Sequence, residues 1–194
     1  MGQYYKPILL EEKSGEHEVI KCWMYSHEYD NGLKLMEHSW LANDFVRTFE
    51  SLIAETPQRV VWAGDYADEE PNRKYYQDGK EYEANLYNLC DDATKARPNK
   101  QSKMYRYLIN HSKGLFVDKN KIPVSDVWTD PKNGKEYPFQ IHPLPLLTCE
   151  GNGRGGGDYR NDAEIVGTWA RDIISVSTKK PKGFQEIEFT LVED

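Results

Sequence analysis

Three observations point to an α+β fold, a mainly antiparallel sheet with about two helices packed on one face. Short alternating apolar runs, separated by Asn-Gly and similar turn pairs, fill most of the chain. Two stretches carry apolar residues at helical spacing. The 194 residues, 38% apolar, suit one domain spanning 1–194. Within it, 13 tyrosines and 5 tryptophans supply large buried areas with polar tips, offsetting a shortage of aliphatic residues.

The elements follow in order. In residues 18–25, Val19, Lys21, Trp23 and Tyr25 share one face, and Ile20, Cys22 and Met24 the other. Asp30-Asn31-Gly32 then leads into 33–36, and Asn-Gly supplies the positive φ angles of a type I′ turn, so a hairpin is expected. A helix is expected over 43–55 from Phe45, Val46, Phe49, Leu52 and Ile53, capped by Asn43 or Asp44 and stopped by Pro57. Residues 59–66 read as a buried strand running into a loop, and 68–80, polar with Pro71 and Asp78-Gly79, as an exposed loop. A second helix is expected over 81–95 from Leu86, Leu89, Cys90 and Ala93.

The second half reads as strands: 104–110 and 115–117 across Ser112-Lys113-Gly114, then 127–128 and 137–141 across Asn133-Gly134. Strands at 165–169, 173–176 and 184–192 complete the set, and 144–148 can also be extended. Consecutive strands joined by tight turns imply antiparallel pairing.

The formal charge of −7 argues against a protein that grips nucleic-acid phosphates, which need a basic field. There is no basic start followed by an apolar run, and no apolar stretch of bilayer length, so a cytoplasmic location without a membrane partner is expected. Cys22, Cys90 and Cys149 are odd in number and lack zinc-ligand spacing, so they read as small buried hydrophobes.

The functional candidates begin with 151–160. Five of the seven residues from Gly151 to Gly157 are glycine, a run that is entropically costly unless the backbone needs positive φ or close approach. Gly151-x-Gly153-x-x-Gly156 matches the dinucleotide string, but no helix follows it and no Walker lysine stands after Gly157. What survives is a concave anion site made by the amides of Gly153, Gly155 and Gly156, with Arg154 or Arg160 adding charge and Asp158 and Tyr159 adjoining. The aromatic residues Trp40 and Trp62 are expected to assist. The bland alternative is a flexible or closely packed loop.

Asp65 and Asp68, delivered by the 59–66 strand, can hold a divalent cation in water-filled coordination, the one cofactor for which there is a candidate. With Asp158 they would form a metal-dependent phosphoester hydrolase. An aspartate after a glycine more often caps backbone. His38 and His142 read as hydrogen-bonded structural residues ahead of ligands. A Ser39–His38–Asp65 triad fails because neighbours in a strand point to opposite faces. The pairs Tyr4-Tyr5, Tyr75-Tyr76 and Tyr105/Tyr107 read as core and rim.

Taken together, the Met1-to-Lys6 opening, the strings 32–40, 61–68 and 141–147, and Gly157-Asp158-Tyr159 resemble a family of uncharacterised proteins of bacteria, especially gut-associated ones, and their phages. The resemblance covers most of the chain. It implies a cytosolic protein carried on mobile elements and brings no activity, cofactor or catalytic residue. The leading expectation is therefore a non-enzymatic module that recognises a small anionic ligand or a protein partner through 151–160. The hydrolase above and a phage-type inhibitor acting through an exposed apolar patch are the alternatives.

Overall fold

The computed structural model describes residues 3–12, 17–151 and 164–191. In chain order the strands are β1 (Tyr5–Leu10), β2 (Ile20–Trp23), β3 (Gln58–Gly64), β4 (Lys74–Gln77), β5 (Lys80–Glu83), β6 (Tyr107–Asn110), β7 (Leu115–Asp118), β8 (Asp126–Thr129), β9 (Glu136–Phe139), β10 (Cys149–Glu150), β11 (Ile173–Ser177) and β12 (Gln185–Glu186). The α-helices are α1 (Asp44–Leu52), α2 (Leu86–Leu89) and α3 (Pro143–Thr148). The main sheet runs β12-β7-β6-β11-β3-β1-β2, with β10 also on β3, and β4-β5 and β8-β9 form separate hairpins.

The pairing is mainly antiparallel, as expected; β10–β3 and β12–β7 are parallel. One edge of β3 is divided between two partners. Its start pairs with β11 at Gln58 and Arg59, and its end pairs with β10 at Trp62 and Ala63.

Side chains alternate across β1 and β3 as a two-residue period requires. Tyr5, Leu9, Val60 and Trp62 enter one apolar cluster, and Ile8, Leu10, Val61 and Ala63 the other. α1 and α3 feed the first cluster through Phe45, Val46, Phe49, Leu144, Leu146 and Leu147. α2 feeds the second through Leu86 and Leu89. The two helices expected on one face thus divide between the faces. Lys6 lies on the fully buried strand β1 because its ammonium sits over the rings of Tyr87 (4.1 Å) and Trp23 (4.8 Å) and meets Asp91 at 3.0 Å.

Several elements differ from expectation for identifiable reasons. No hairpin forms around Asn31-Gly32; 3-10 turns at Ser26–Tyr29 and Leu35–Glu37 stand there instead. Positive φ falls on Asp30 (59°), while the Asn31 side chain donates to the Tyr29 carbonyl and accepts from Asn43. The 68–80 loop contains β4 and leads into β5, which takes the start of the expected second helix. Asp78 and Gly79, both at positive φ (52° and 74°), make the I′-type turn between them.

The apolar run 144–148 is helical, with Pro143 in the first turn and the His142 side chain accepting the Leu144 amide at 3.1 Å. Residues 165–169 form turns around Gly167 (φ 73°). Among the described residues of 184–192 the strand is confined to Gln185–Glu186, with the Ile187 amide still donating to the Phe116 carbonyl, yet Phe189 reaches the core, so the alternation holds further than the strand. Cys90 and Cys149 are buried, and burial pushes both thiols up to about 12, which fits inert core residues. No described helix is long and apolar enough to cross a membrane.

Candidate functional site

A cavity of about 540 Å³ opens beside α1. Four segments build it: Arg47 and Glu50 from α1, Tyr105 and Arg106 from the approach to β6, Lys119 and Asn120 from the turn after β7, and Gln140 from the end of β9. Leu41 and Met104 add apolar wall. Arg47 and Glu50 stand three residues apart on one helix and so face the same way.

Glu50 is fully buried, an unusual place for a carboxylate. The apolar stripe of α1 explains how it got there. Val46, Phe49 and Ile53 recur at helical spacing, and position 50 falls within that stripe. Its Oε1 faces the Lys119 ammonium at 2.5 Å and His142 Nε2 at 3.3 Å. His142 Nδ1 accepts from the Leu144 amide, which assigns the proton of the neutral ring to Nε2, where it is donated to Glu50. Lys119 Nζ approaches the same nitrogen at 3.5 Å.

The charges follow from this geometry. Burial pushes the Glu50 carboxyl up, but the Lys119 ammonium and then His142 outweigh burial and hold it below the usual carboxylate range. Burial, reinforced by Lys119, lowers His142 despite the neighbouring carboxylate, and keeps the ring neutral. The cluster is thus an anion and a cation bridged by a neutral donor.

Satisfaction is incomplete at two atoms. Glu50 Oε2 is buried with no protein partner, and so is Arg47 Nε. Arg106 is neutralised by a bidentate bond to Asp118 at 2.9 and 2.7 Å. Among the described residues the Arg47 guanidinium reaches one carboxylate, Asp44, at 4.0 Å. Lys119 cancels Glu50 and Arg106 cancels Asp118, so Arg47 is the surplus cation of the lining.

The residues singled out from sequence are dispersed. Gly153, Arg154, Gly155, Gly156, Asp158, Tyr159 and Arg160 lie outside the described residues. Gly151 is described, and it lies close against the end of the Gln3 side chain. A Cβ there would come within 2.4 Å of the Gln3 side chain, and one on Gly64 within 2.5 Å of the Glu150 carbonyl. Trp62 is fully buried, touching Phe49 edge-on and donating to His38 Nε2 at 3.0 Å, so it presents no surface to a ligand. Trp40 is half-buried and bridges to Ile141, next to the cavity wall.

Asp65 accepts the Tyr4 amide at 3.0 Å, a backbone-capping role, and burial raises its carboxyl. Asp68 is exposed. Among the described residues no group of three or more His, Cys, Asp or Glu side chains is arranged to hold a metal ion. His38 closes its hydrogen bonding with neutral partners, Gly32 carbonyl at Nδ1 and Trp62 at Nε2, and burial pushes it down to about 4.

A second charged cluster has no spacing signal in the sequence. Arg171, at φ 64°, binds Glu150 bidentately (2.6 and 2.8 Å) and Glu70 at 2.5 Å. Arg59 binds Glu18 bidentately at 2.6 and 2.8 Å. These contacts tie β10, β3 and the chain before β2 together where the glycine-rich segment departs.

No protein-family model, curated protein or solved structure matches this chain.

Proposed function

We propose that this chain is a binding module that captures a small anionic molecule in the cavity beside α1, with Arg47 as the principal contact and Lys119 nearby. One observation carries the reading. Arg47 lines a cavity about 540 Å³ in volume, its one ion pair is the long 4.0 Å contact to exposed Asp44, and its buried Nε has no protein partner among the described residues. That volume falls in the range of small-molecule sites, and a guanidinium suits a carboxylate or phosphate oxygen. Among the described residues the lining holds no serine, threonine or cysteine, and Lys119 is engaged by Glu50, which favours binding over covalent catalysis.

The test is a thermal-shift screen of anions, repeated with Arg47→Ala. A ligand at 100 times its Kd raises native stability by about 2.7 kcal/mol. The expected result is a hit whose affinity falls at least tenfold in Arg47→Ala; an unchanged affinity overturns the reading.

A second reading, a protein partner, is favoured by the β8–β9 hairpin. It forms a separate two-stranded sheet on which Val127 (50% exposed), Trp128 (56%) and Tyr137 (40%) are open to solvent. Two-stranded ribbons are marginal alone, so a partner that covered this one would stabilise it.

A further inference from the structure

We propose that the ligand is a small carboxylate carrying a hydrogen-bond donor on its α-carbon, an amino acid or a hydroxy acid with an apolar side chain. This rests on the anion-binding reading above and deepens it. A simple anion satisfies only half of the cavity. It answers Arg47, but it brings a second negative charge toward Glu50, whose Oε2 is buried and without a protein partner. That oxygen is an acceptor that asks for a donor.

Arg47 and Glu50 both line the cavity from positions three residues apart on one helix, close enough for one compact molecule to meet both side chains. An α-amino or α-hydroxy acid has the required order of groups. Its carboxylate meets Arg47, and its ammonium or hydroxyl donates to Glu50 Oε2. The remainder of the molecule then faces Leu41, Met104 and Tyr105, the apolar and aromatic part of the wall. Lys119 and His142 hold Glu50 from its other oxygen, so Oε2 is positioned before the ligand arrives. Charge balances for the hydroxy acid: with Lys119 set against Glu50, and Arg106 against Asp118, its one carboxylate answers Arg47, whereas the ammonium of an amino acid would share Glu50 with Lys119.

Three compounds with one skeleton isolate the donor: leucine, 2-hydroxy-4-methylpentanoate and 4-methylpentanoate. Calorimetric titration of the full chain is expected to rank the first two at least tenfold tighter than the third, and the order of the first two separates amino from hydroxy acids. Glu50→Gln turns the Oε2 position into a donor and is expected to erase or invert the gap. Should that variant not fold, the wild-type ranking decides by itself. Arg47→Gln is expected to weaken all three compounds together. Equal binding of all three overturns the donor inference and leaves the anion site standing. So does binding of inorganic phosphate alone that depends on Arg47. If no anion binds, both readings fall.

Discussion

His38 and His142 are equally hidden, and their surroundings are opposite. Around His38 each ring nitrogen has a fixed neutral partner, the Gly32 carbonyl and the Trp62 indole, inside an aromatic cluster with Phe45. Around His142 the partners are an amide on one side and a Glu50–Lys119 ion pair on the other, and the carboxylate keeps one oxygen unpaired beside a cavity. Burial of a polar group is cheap when its valences are all matched locally. The first site is finished and the second is not. An unfinished polar set that borders open volume is where a ligand has something to add.

The largest expected effect separates the two sites by charge. Lys119→Ala leaves Glu50 buried and unpaired and is expected to cost about 3–5 kcal/mol. The double change Lys119→Met with Glu50→Gln is expected to cost less than Lys119→Ala alone, because it removes the charges together. Urea midpoints measure this. A double variant less stable than Lys119→Ala would show that the ion pair, contrary to the account, is a net stabiliser.

Next comes acid. Because His38 is held near 4 when folded, the unfolded chain binds a proton below about 6.5 that the folded chain refuses. Stability contributed by this site is complete above that range and is lost as pH falls from about 6.5 toward 4, by up to about 3 kcal/mol. His142 is shifted in the same direction and adds to the slope. His38→Gln is expected to flatten the fall in urea midpoint between about pH 7 and about pH 5. An unaltered slope would place the acid sensitivity elsewhere.

The smallest effects concern Arg47 at the cavity and the exposed β8–β9 hairpin. Arg47→Ala is expected to leave stability within about 1 kcal/mol while abolishing most of the anion affinity, since its Nε has no protein partner to lose. Trp128→Ser on the β8–β9 hairpin is expected to change stability by no more than about half a kcal/mol. A larger loss would mean that Trp128 packs against the body in solution.

The sequence made the antiparallel hairpins at 107–118 and 126–139 legible because Gly114 and Gly134 carry the positive φ their turns need. The first helix was equally plain, down to Asn43, which accepts the Val46 amide. Short apolar runs were not. Residues 144–148 have no period that separates strand from helix, and the deciding feature is a histidine side chain acting as a cap. Asp78-Gly79 was a hairpin signal hidden in a polar stretch.

The candidate site was scarcely legible. Glu50, Lys119 and His142 come from three distant segments, and no local spacing links them. One clue was present, a glutamate on the apolar stripe of α1, where a carboxylate persists only if something charged meets it. The glycine-rich segment draws attention by composition, yet its one described residue, Gly151, shows only a close approach to the end of the Gln3 side chain.

The central claim is a location. A crystal structure of the protein with the tightest anion from the screen tests it most directly. The account predicts ligand density beside α1, with an oxygen on Arg47 Nε and a donor on Glu50 Oε2. Density elsewhere, against residues 151–160 for instance, with the α1 cavity holding solvent alone, would contradict it.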